Sequence, residues 1–233
     1  MVEVATGAIA VAAGALAYGA RVPRSSMLAP TVWRGPVGSP GIALTFDDGP
    51  SESTLELLEI LDHFDVPATF FQCGANVRRV PAMARAVAGA GHEIGNHSES
   101  HRLLSLRGAG FIRDEIETAQ RTIADVTGVT PRVFRPPYGV RWFGLRAALR
   151  DLGLTGVMWS VIGLDWKLPA PGVERRLMES TRPGAIVCLH DGRSLQPQPN
   201  ISVTLETLPR VIPQWKERGL QLMRVSELLC PMN

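Results

Sequence analysis

Apolar residues recur along the chain in runs of strand length: Ile42–Phe46, Ala68–Gln72, Glu93–Asn96, Arg132–Arg135, Gly156–Ile162, Ala185–His190 and Leu220–Val225. Turn-forming residues bound these runs, so each is predicted to be a strand. Between them the pattern changes to a helical period. Ser51 or Ser53 is placed to cap a helix in which Leu55, Leu58, Leu61 and Phe64 share a face, and Pro81 suits the first turn of the next one. Further helices are predicted over Phe111–Val126, Phe143–Leu152, Val173–Thr181 and Val203–Glu217. Strands alternating with helices of about 10 to 15 residues make βαβ units and a parallel sheet. Seven such runs predict an α/β barrel.

The N-terminus departs from this pattern. Val4 to Ala20 are 17 residues without a charge, at the lower edge of membrane-spanning length, but eight Ala and three Gly leave the stretch weakly hydrophobic. Ala15-Leu16-Ala17 resembles a signal cleavage site, yet only the α-amino group supplies positive charge ahead of it. Residues 1–26 are therefore expected to form a hydrophobic N-terminal segment, an anchor or uncleaved signal giving membrane association through residues 4–20. The alternative is a helix packed on the domain or a frayed tail. Arg21, Arg24 and Arg34 follow the segment, which by the positive-inside rule favours a cytoplasmic location for the rest. Residues 27–41, rich in Pro and Gly, are predicted to be an extended linker, and residues 42–233 the main domain.

A chain of 233 residues and 25.2 kDa suits one such domain, and 45% apolar with 20% charged residues is a globular composition. The 24 Lys+Arg and 22 Asp+Glu leave a net charge of +2 with no basic cluster along the chain, which argues against a nucleic-acid partner. Cys73, Cys188 and Cys230 are too few and too far apart for a disulfide framework or a thiolate zinc site, and are expected to be buried as small apolar groups.

In parallel α/β folds the working groups stand where strands end. Here those ends carry Asp47 and Asp48, His97 and His101, Arg135, Asp165 and His190. Two imidazoles four residues apart can grip one zinc-like ion, and a carboxylate would complete a three-ligand catalytic set. Asp47-Asp48-Gly49-Pro50 supplies adjacent carboxylates at a strand end, so one can bind metal while the other stays free. His63 and His92 belong to no such grouping and are expected to be surface or helix-end residues.

Five motifs occur in order: TFDDGP (Thr45–Pro50), HSESH (His97–His101), RPPY (Arg135–Tyr138), DW (Asp165–Trp166) and IVCLHD (Ile186–Asp191). Over roughly Gly41–Leu229 the chain resembles the polysaccharide deacetylases with the NodB homology domain, carbohydrate esterase family 4. The resemblance implies a distorted (β/α) barrel of about seven parallel strands. It also implies hydrolysis of N-acetyl groups from N-acetylglucosamine-containing poly- or oligosaccharide, with release of acetate. By the same resemblance Asp48, His97 and His101 hold one divalent metal ion, zinc first, with Co2+ or Mn2+ as alternatives. Asp47 is then the general base and His190 the general acid, with Arg135 positioning Asp47, Asp165 orienting His190, and the Tyr138 N–H helping to bind the oxyanion.

Two positions depart from the family pattern. Ile162 stands where an Asp is common, and Cys188 stands where a leucine would face the acetyl methyl, implying a roomier acyl pocket. Tyr138, Trp142 and Trp166 are candidates for a sugar-stacking floor, and Cys188 and Leu189 for contacts to the acyl group. The expected partner is an N-acetylated amino sugar of chitin, peptidoglycan, another surface polysaccharide or a glycolipid, which points to the cell envelope, membrane-anchored or extracytoplasmic. Alternatives are a deformylase or cyclic-ureide hydrolase on the same fold, or a non-catalytic carbohydrate-binding relative.

Overall fold

The computed structural model describes residues 2–230, with side chains from residue 11 onward. In chain order the elements are α1 (Val2–Arg21), β1 (Thr31–Val32), β2 (Gly41–Gly49), α2 (Thr54–His63), β3 (Thr69–Gln72), α3 (Gly74–Arg79), α4 (Pro81–Gly89), β4 (Glu93–Asn96), α5 (Ala109–Thr127), β5 (Val133–Phe134), α6 (Leu145–Asp151), β6 (Thr155–Val157), β7 (Val161–Ile162), α7 (Ala170–Ser180), β8 (Ile186–His190), α8 (Ser202–Glu217), β9 (Gln221–Met223) and α9 (Val225–Leu229). A single 3-10 turn, Pro137–Gly139, follows β5.

The strands form one parallel sheet ordered β1-β6-β5-β4-β3-β2-β8-β7, with β9 also pairing β2. β2 is buried along its whole length, which is why its sequence has no solvent-facing alternation. Ile42, Leu44 and Phe46 face the helices, in one core with Leu57, Leu61, Val187, Leu189 and Trp215. Ala43 faces the opposite way and joins Phe71, Val133, Ile186, Val225 and Leu228, which fill the barrel below the strand ends. Burying a Leu, Ile or Phe contributes about 1.5–3 kcal/mol each, so these two layers fix the sheet that carries the site.

The sheet is a curled, open barrel, in agreement with the expected fold, but with nine strands. The predicted run Gly156–Ile162 divides into β6 and β7, because the chain there steps from one end of the sheet to the other. Met158 N–H still bonds the Val32 carbonyl (2.7 Å), whereas Ser160 N–H bonds that of Ile186 (3.0 Å). The other added strand lies inside the predicted linker: Thr31–Val32 pairs with β6.

Residues 20–31 are in fact anchored to the domain. Arg141 is fully buried and donates to the carbonyls of Val22 (2.6 Å), Pro23 (3.2 Å) and Ser25 (2.8 Å) and to the Thr31 hydroxyl (3.2 Å). A buried guanidinium must find such acceptors, and here the chain after α1 supplies them. The anchor expectation for residues 4–20 falls partly on side chains outside the described residues. Among the described residues no helix is long and apolar enough to cross a membrane.

α2 differs from expectation at its start. Neither Ser51 nor Ser53 caps it through a side chain; the Thr54 hydroxyl instead accepts the Ser51 N–H (2.8 Å) and donates to Asp191 (3.1 Å). Starting the helix at Thr54 turns Leu57, Leu58 and Leu61 inward and leaves Leu55 45% exposed.

Candidate active site

At the carboxyl edge of the sheet, the last residues of β2 and β8 include Asp47, Asp48 and His190, and His97 and Arg135 directly follow β4 and β5. Simple alternation would send Asp47 and Asp48 to opposite faces of β2. A bulge prevents this: the register against β3 shifts between Asp47 and Gly49, and Asp48 takes a left-handed backbone (φ 72°). Both carboxylates thus enter one cavity of about 360 Å³. Glycine permits the closure, since a Cβ at Gly49 would overlap the Asp191 carboxylate and one at Gly192 the Asp48 carbonyl.

Asp48 Oδ1 lies 2.9 Å from His101 Nε2 and 3.4 Å from His97 Nε2. His97 Nδ1 donates to the Arg135 carbonyl at 2.7 Å, which fixes the ring with Nε2 facing Asp48. His101 is turned likewise, its Nδ1 meeting the Ser194 hydroxyl at 2.9 Å. Asp48 Oδ2 accepts the Ser194 N–H (2.7 Å), and Asn76 ties the Asp48 and Ser194 carbonyls together (2.7 and 2.8 Å). Burial would raise the pKa of Asp48, but its bonds to His101 and His97 outweigh that and hold it well below the usual carboxylate range. An ionised oxygen and two imidazole nitrogens, each held by a further bond, fit a zinc-like cation, and the three donors lie within 4.8 Å of one another.

Asp47 is separate from that cluster in its bonding. Its Oδ1 accepts Arg135 Nη1 at 2.6 Å, and its Oδ2 meets the Cys188 thiol at 3.4 Å. Arg135 is itself fully buried, bonding the Thr45 hydroxyl (2.7 Å) and the Met158 carbonyl (3.1 Å) and lying 4.1 Å from the centroid of the Phe71 ring. Burial, then the Asp47 charge, pushes the Cys188 thiol well above its ordinary pKa, so it stays protonated.

Opposite stands His190, whose Nδ1 lies 3.0 Å from Asp165 Oδ1. Asp165 is buried and receives the His190 N–H (3.1 Å) and the Thr204 hydroxyl (2.9 Å). Burial disfavours a charged ring, yet the Asp165 hydrogen bond and the charges of Asp165, Asp48 and Asp47 prevail and raise the His190 pKa to about 9. At neutral pH the ring is an acid with a proton to give.

Tyr138 sits at the rim, 60% exposed, with a left-handed backbone (φ 58°) and its ring 4.7 Å from His101. Its N–H has no protein acceptor among the described residues. Trp166 also lines the cavity, edge-on to His190 at 4.8 Å, and Cys188 and Ile162 form its apolar wall. Two expectations are corrected. Leu189 follows Cys188 on β8 and so points the other way, into the helix-side core. Trp142 packs against the cluster of Leu104, Ile112 and Leu145, because the chain turns away from the cavity once Arg141 is buried. His92, expected at the surface or a helix end, lies just beyond the end of α4, its N–H on the Val87 carbonyl (3.3 Å), and is partly buried with its ring accepting the Ala68 N–H (3.2 Å).

The cavity also holds Trp159, Gly139, Arg193 and Ser194, which the sequence analysis did not single out. Gly139 has a positive φ (64°) and lies against the Trp159 ring, where a side chain would not fit. Arg193 and Ser194 carry one sequence cue, their nearness to His190. Asn76 and Thr204 carry none, as they reach the site through long-range packing.

Residues 34–157 match the family model described as polysaccharide deacetylase. A chitooligosaccharide deacetylase of Bradyrhizobium sp. (strain ANU 289) is 36% identical over 202 residues, which cover 82% of this chain and 91% of the relative. A crystal structure of a peptidoglycan N-acetylglucosamine deacetylase superposes with a TM-score of 0.80 at 30% identity, covering 84% of this chain and 91% of that one. A wild-type pseudoenzyme of carbohydrate esterase family 4 from Bacillus anthracis superposes with a TM-score of 0.79 at 30% identity, covering 86% and 69%.

Proposed function

The chain belongs to the polysaccharide deacetylase family, and on that premise we propose that it hydrolyses N-acetyl groups of N-acetylglucosamine-containing glycans with one divalent cation, releasing acetate and leaving a free amine. The observation that carries this reading is the division of one cavity into a ligand set (Asp48, His97, His101), an arginine-bound carboxylate (Asp47) and a carboxylate-bound imidazole (His190). The named relatives act on chitooligosaccharide and peptidoglycan, which supports an amino-sugar amide as substrate. That substrate class in turn supports action at the cell envelope.

A cation held by Asp48, His97 and His101 supplies polarisation of the amide carbonyl and a lowered pKa for water. Asp47 takes the proton of the attacking water, its orientation fixed by Arg135. The Tyr138 N–H, lacking a protein acceptor, is free to donate to the oxygen that becomes negative. His190 then gives its proton to the departing amine nitrogen, with Asp165 holding the ring and favouring its charged form. Cys188 and Ile162 bound the space for the acetyl methyl, and Tyr138 and Trp166 offer faces for the sugar. One structural neighbour is named a pseudoenzyme; the presence of both Asp47 and His190 in working geometry supports catalysis here. Zinc-loaded protein assayed on penta-N-acetylchitopentaose for acetate, and on its N-formyl counterpart for formate, tests the reading. Acetate is expected; formate alone would indicate the deformylase, and neither product a different amide.

A further inference from the structure

Parallel pairing of β2 with β8 sets Asp47 opposite His190 and, two residues earlier, Thr45 opposite Cys188. Side chains two apart on a strand share a face, so Cys188 enters the same cavity as His190. A carboxylate oxygen, a sulfur and an imidazole nitrogen thereby come within 4.8 Å of one another. The Cys188 thiol donates to Asp47 Oδ2 at 3.4 Å. Among the described residues, this group and the set of Asp48, His97 and His101 are the two places where three such donors converge so closely. The two groups adjoin without sharing a residue: Asp47 Oδ2 lies 4.0 Å from His97 Nε2.

Each donor is held from behind. Arg135 takes Asp47 Oδ1 (2.6 Å) and leaves Oδ2 to the cavity, while Asp165 takes His190 Nδ1 (3.0 Å) and leaves Nε2, which no other described residue bonds. Bonds of this kind orient metal ligands. Cys188 is the residue that decides the matter, because a leucine in its place would leave only two donors. With the sulfur present, the set is thiolate, imidazole and carboxylate, the combination that selects a thiophilic divalent cation over a hard one. The surrounding charge agrees. Asp47, Asp48 and Asp165 are all buried at this cavity, faced by the guanidinium groups of Arg135 and Arg193, and a further cation offsets the excess of carboxylates.

We propose that Asp47, Cys188 and His190 form a second metal site, which takes a thiophilic divalent cation such as Zn2+ or Cd2+ in excess of the first and thereby shuts the active site. Binding displaces the thiol proton and the proton on His190 Nε2, both of which pass to solvent, so this site fills after the first. A cation there engages the base and the acid of the hydrolysis together, and neither proton transfer remains open. The inhibition rests on the proposed deacetylase activity; the binding does not.

The test uses the full chain with Cys230, the exposed cysteine, replaced by Ser. After removal of metal, equilibrium dialysis against Zn2+ is expected to give two equivalents bound. Cd2+ added to protein already carrying one equivalent of Zn2+ is expected to raise a thiolate-to-metal charge-transfer band that saturates at one further equivalent. Cys188→Leu should bind one equivalent and show no band, and Cys188→Ser, nearly the size of the native side chain, repeats both measurements. Acetate release from penta-N-acetylchitopentaose should peak at one equivalent and fall about tenfold once free Zn2+ exceeds the second dissociation constant by about tenfold, whereas each Cys188 variant holds its own peak rate within about twofold over that range. A single equivalent in the Cys230→Ser protein, or absence of the band, overturns the site. So does a second equivalent that persists in both Cys188 variants, which would be an adventitious ion only. Inhibition that persists in both variants overturns the regulatory role. Absence of acetate at every zinc ratio is a separate failure, that of the deacetylase reading, and the stoichiometry and the band still decide whether the site exists.

Discussion

Replacing Asp165 by Asn keeps the shape of the side chain and removes its charge, so Asp165→Asn isolates what that carboxylate does for His190. The imidazole's pKa of about 9, against an ordinary 6.5, is reached although burial pulls it down. Asp165 supplies the hydrogen bond at 3.0 Å and the nearest charge. Without that charge, burial is opposed only by the charges of Asp48 and Asp47, and the ring falls towards its ordinary 6.5. A general acid works only while protonated, so lowering its pKa moves the alkaline limb of kcat/KM to lower pH, here by about 2 pH units. At pH 7.5 the protonated fraction drops from nearly complete to about one in ten, and turnover of the amide falls roughly tenfold from this cause. Stopped assays of acetate release across pH 5.5–10, run on wild type and Asp165→Asn with equal metal content, give the two profiles. An alkaline limb that stays in place in the variant refutes the assignment of His190 as the acid held by Asp165.

Other outcomes follow from the same geometry. Asp47→Asn should retain metal, measured by atomic absorption, and lose about 10²- to 10⁴-fold in kcat, the usual worth of a general base; loss of metal with activity would make Asp47 a ligand. Arg141→Ala should leave the turns at Val22–Ser25 without their donors, costing about 3 kcal/mol and lowering Tm by roughly 6–12 °C while turnover at low temperature persists. Deleting residues 1–26 should destabilise the domain comparably by removing the Arg141 acceptors; an unchanged Tm in calorimetry would mean the segment is dispensable.

The residues best legible in the sequence were those whose chemistry is local. Asp47-Asp48-Gly49-Pro50 and the His97, His101 pair announce themselves by type and spacing, and the strand preceding the aspartates is a dense apolar run, whereas that preceding His97, Glu93–Asn96, is not. What the spacing could not convey is the bulge that turns both aspartates to one side, since nothing in the residue types separates a bulged strand from a regular one. Leu189 stays out of the site because neighbours on a strand face opposite layers, so a wall made by Cys188 excludes Leu189. Trp142 stays out because its partners, Leu104 and Ile112, are distant in sequence and claim its ring for the core. β1 was hidden by its two-residue length within a Pro/Gly-rich stretch, and is a strand only because β6 lies beside it. Ser194, Asn76 and Thr204 act through bonds spanning 14 to 146 residues, contacts that only folding creates.

Release of acetate is proposed to require one cation, held by Asp48, His97 and His101. Titrating zinc into chelator-stripped protein while recording acetate from penta-N-acetylchitopentaose tests this requirement most directly. Negligible release is expected without metal, with a rise that breaks at one equivalent and no recovery in His97→Ala or His101→Ala at that stoichiometry. Full activity in the stripped protein, or a wild-type response restored in either variant by one equivalent, would contradict it.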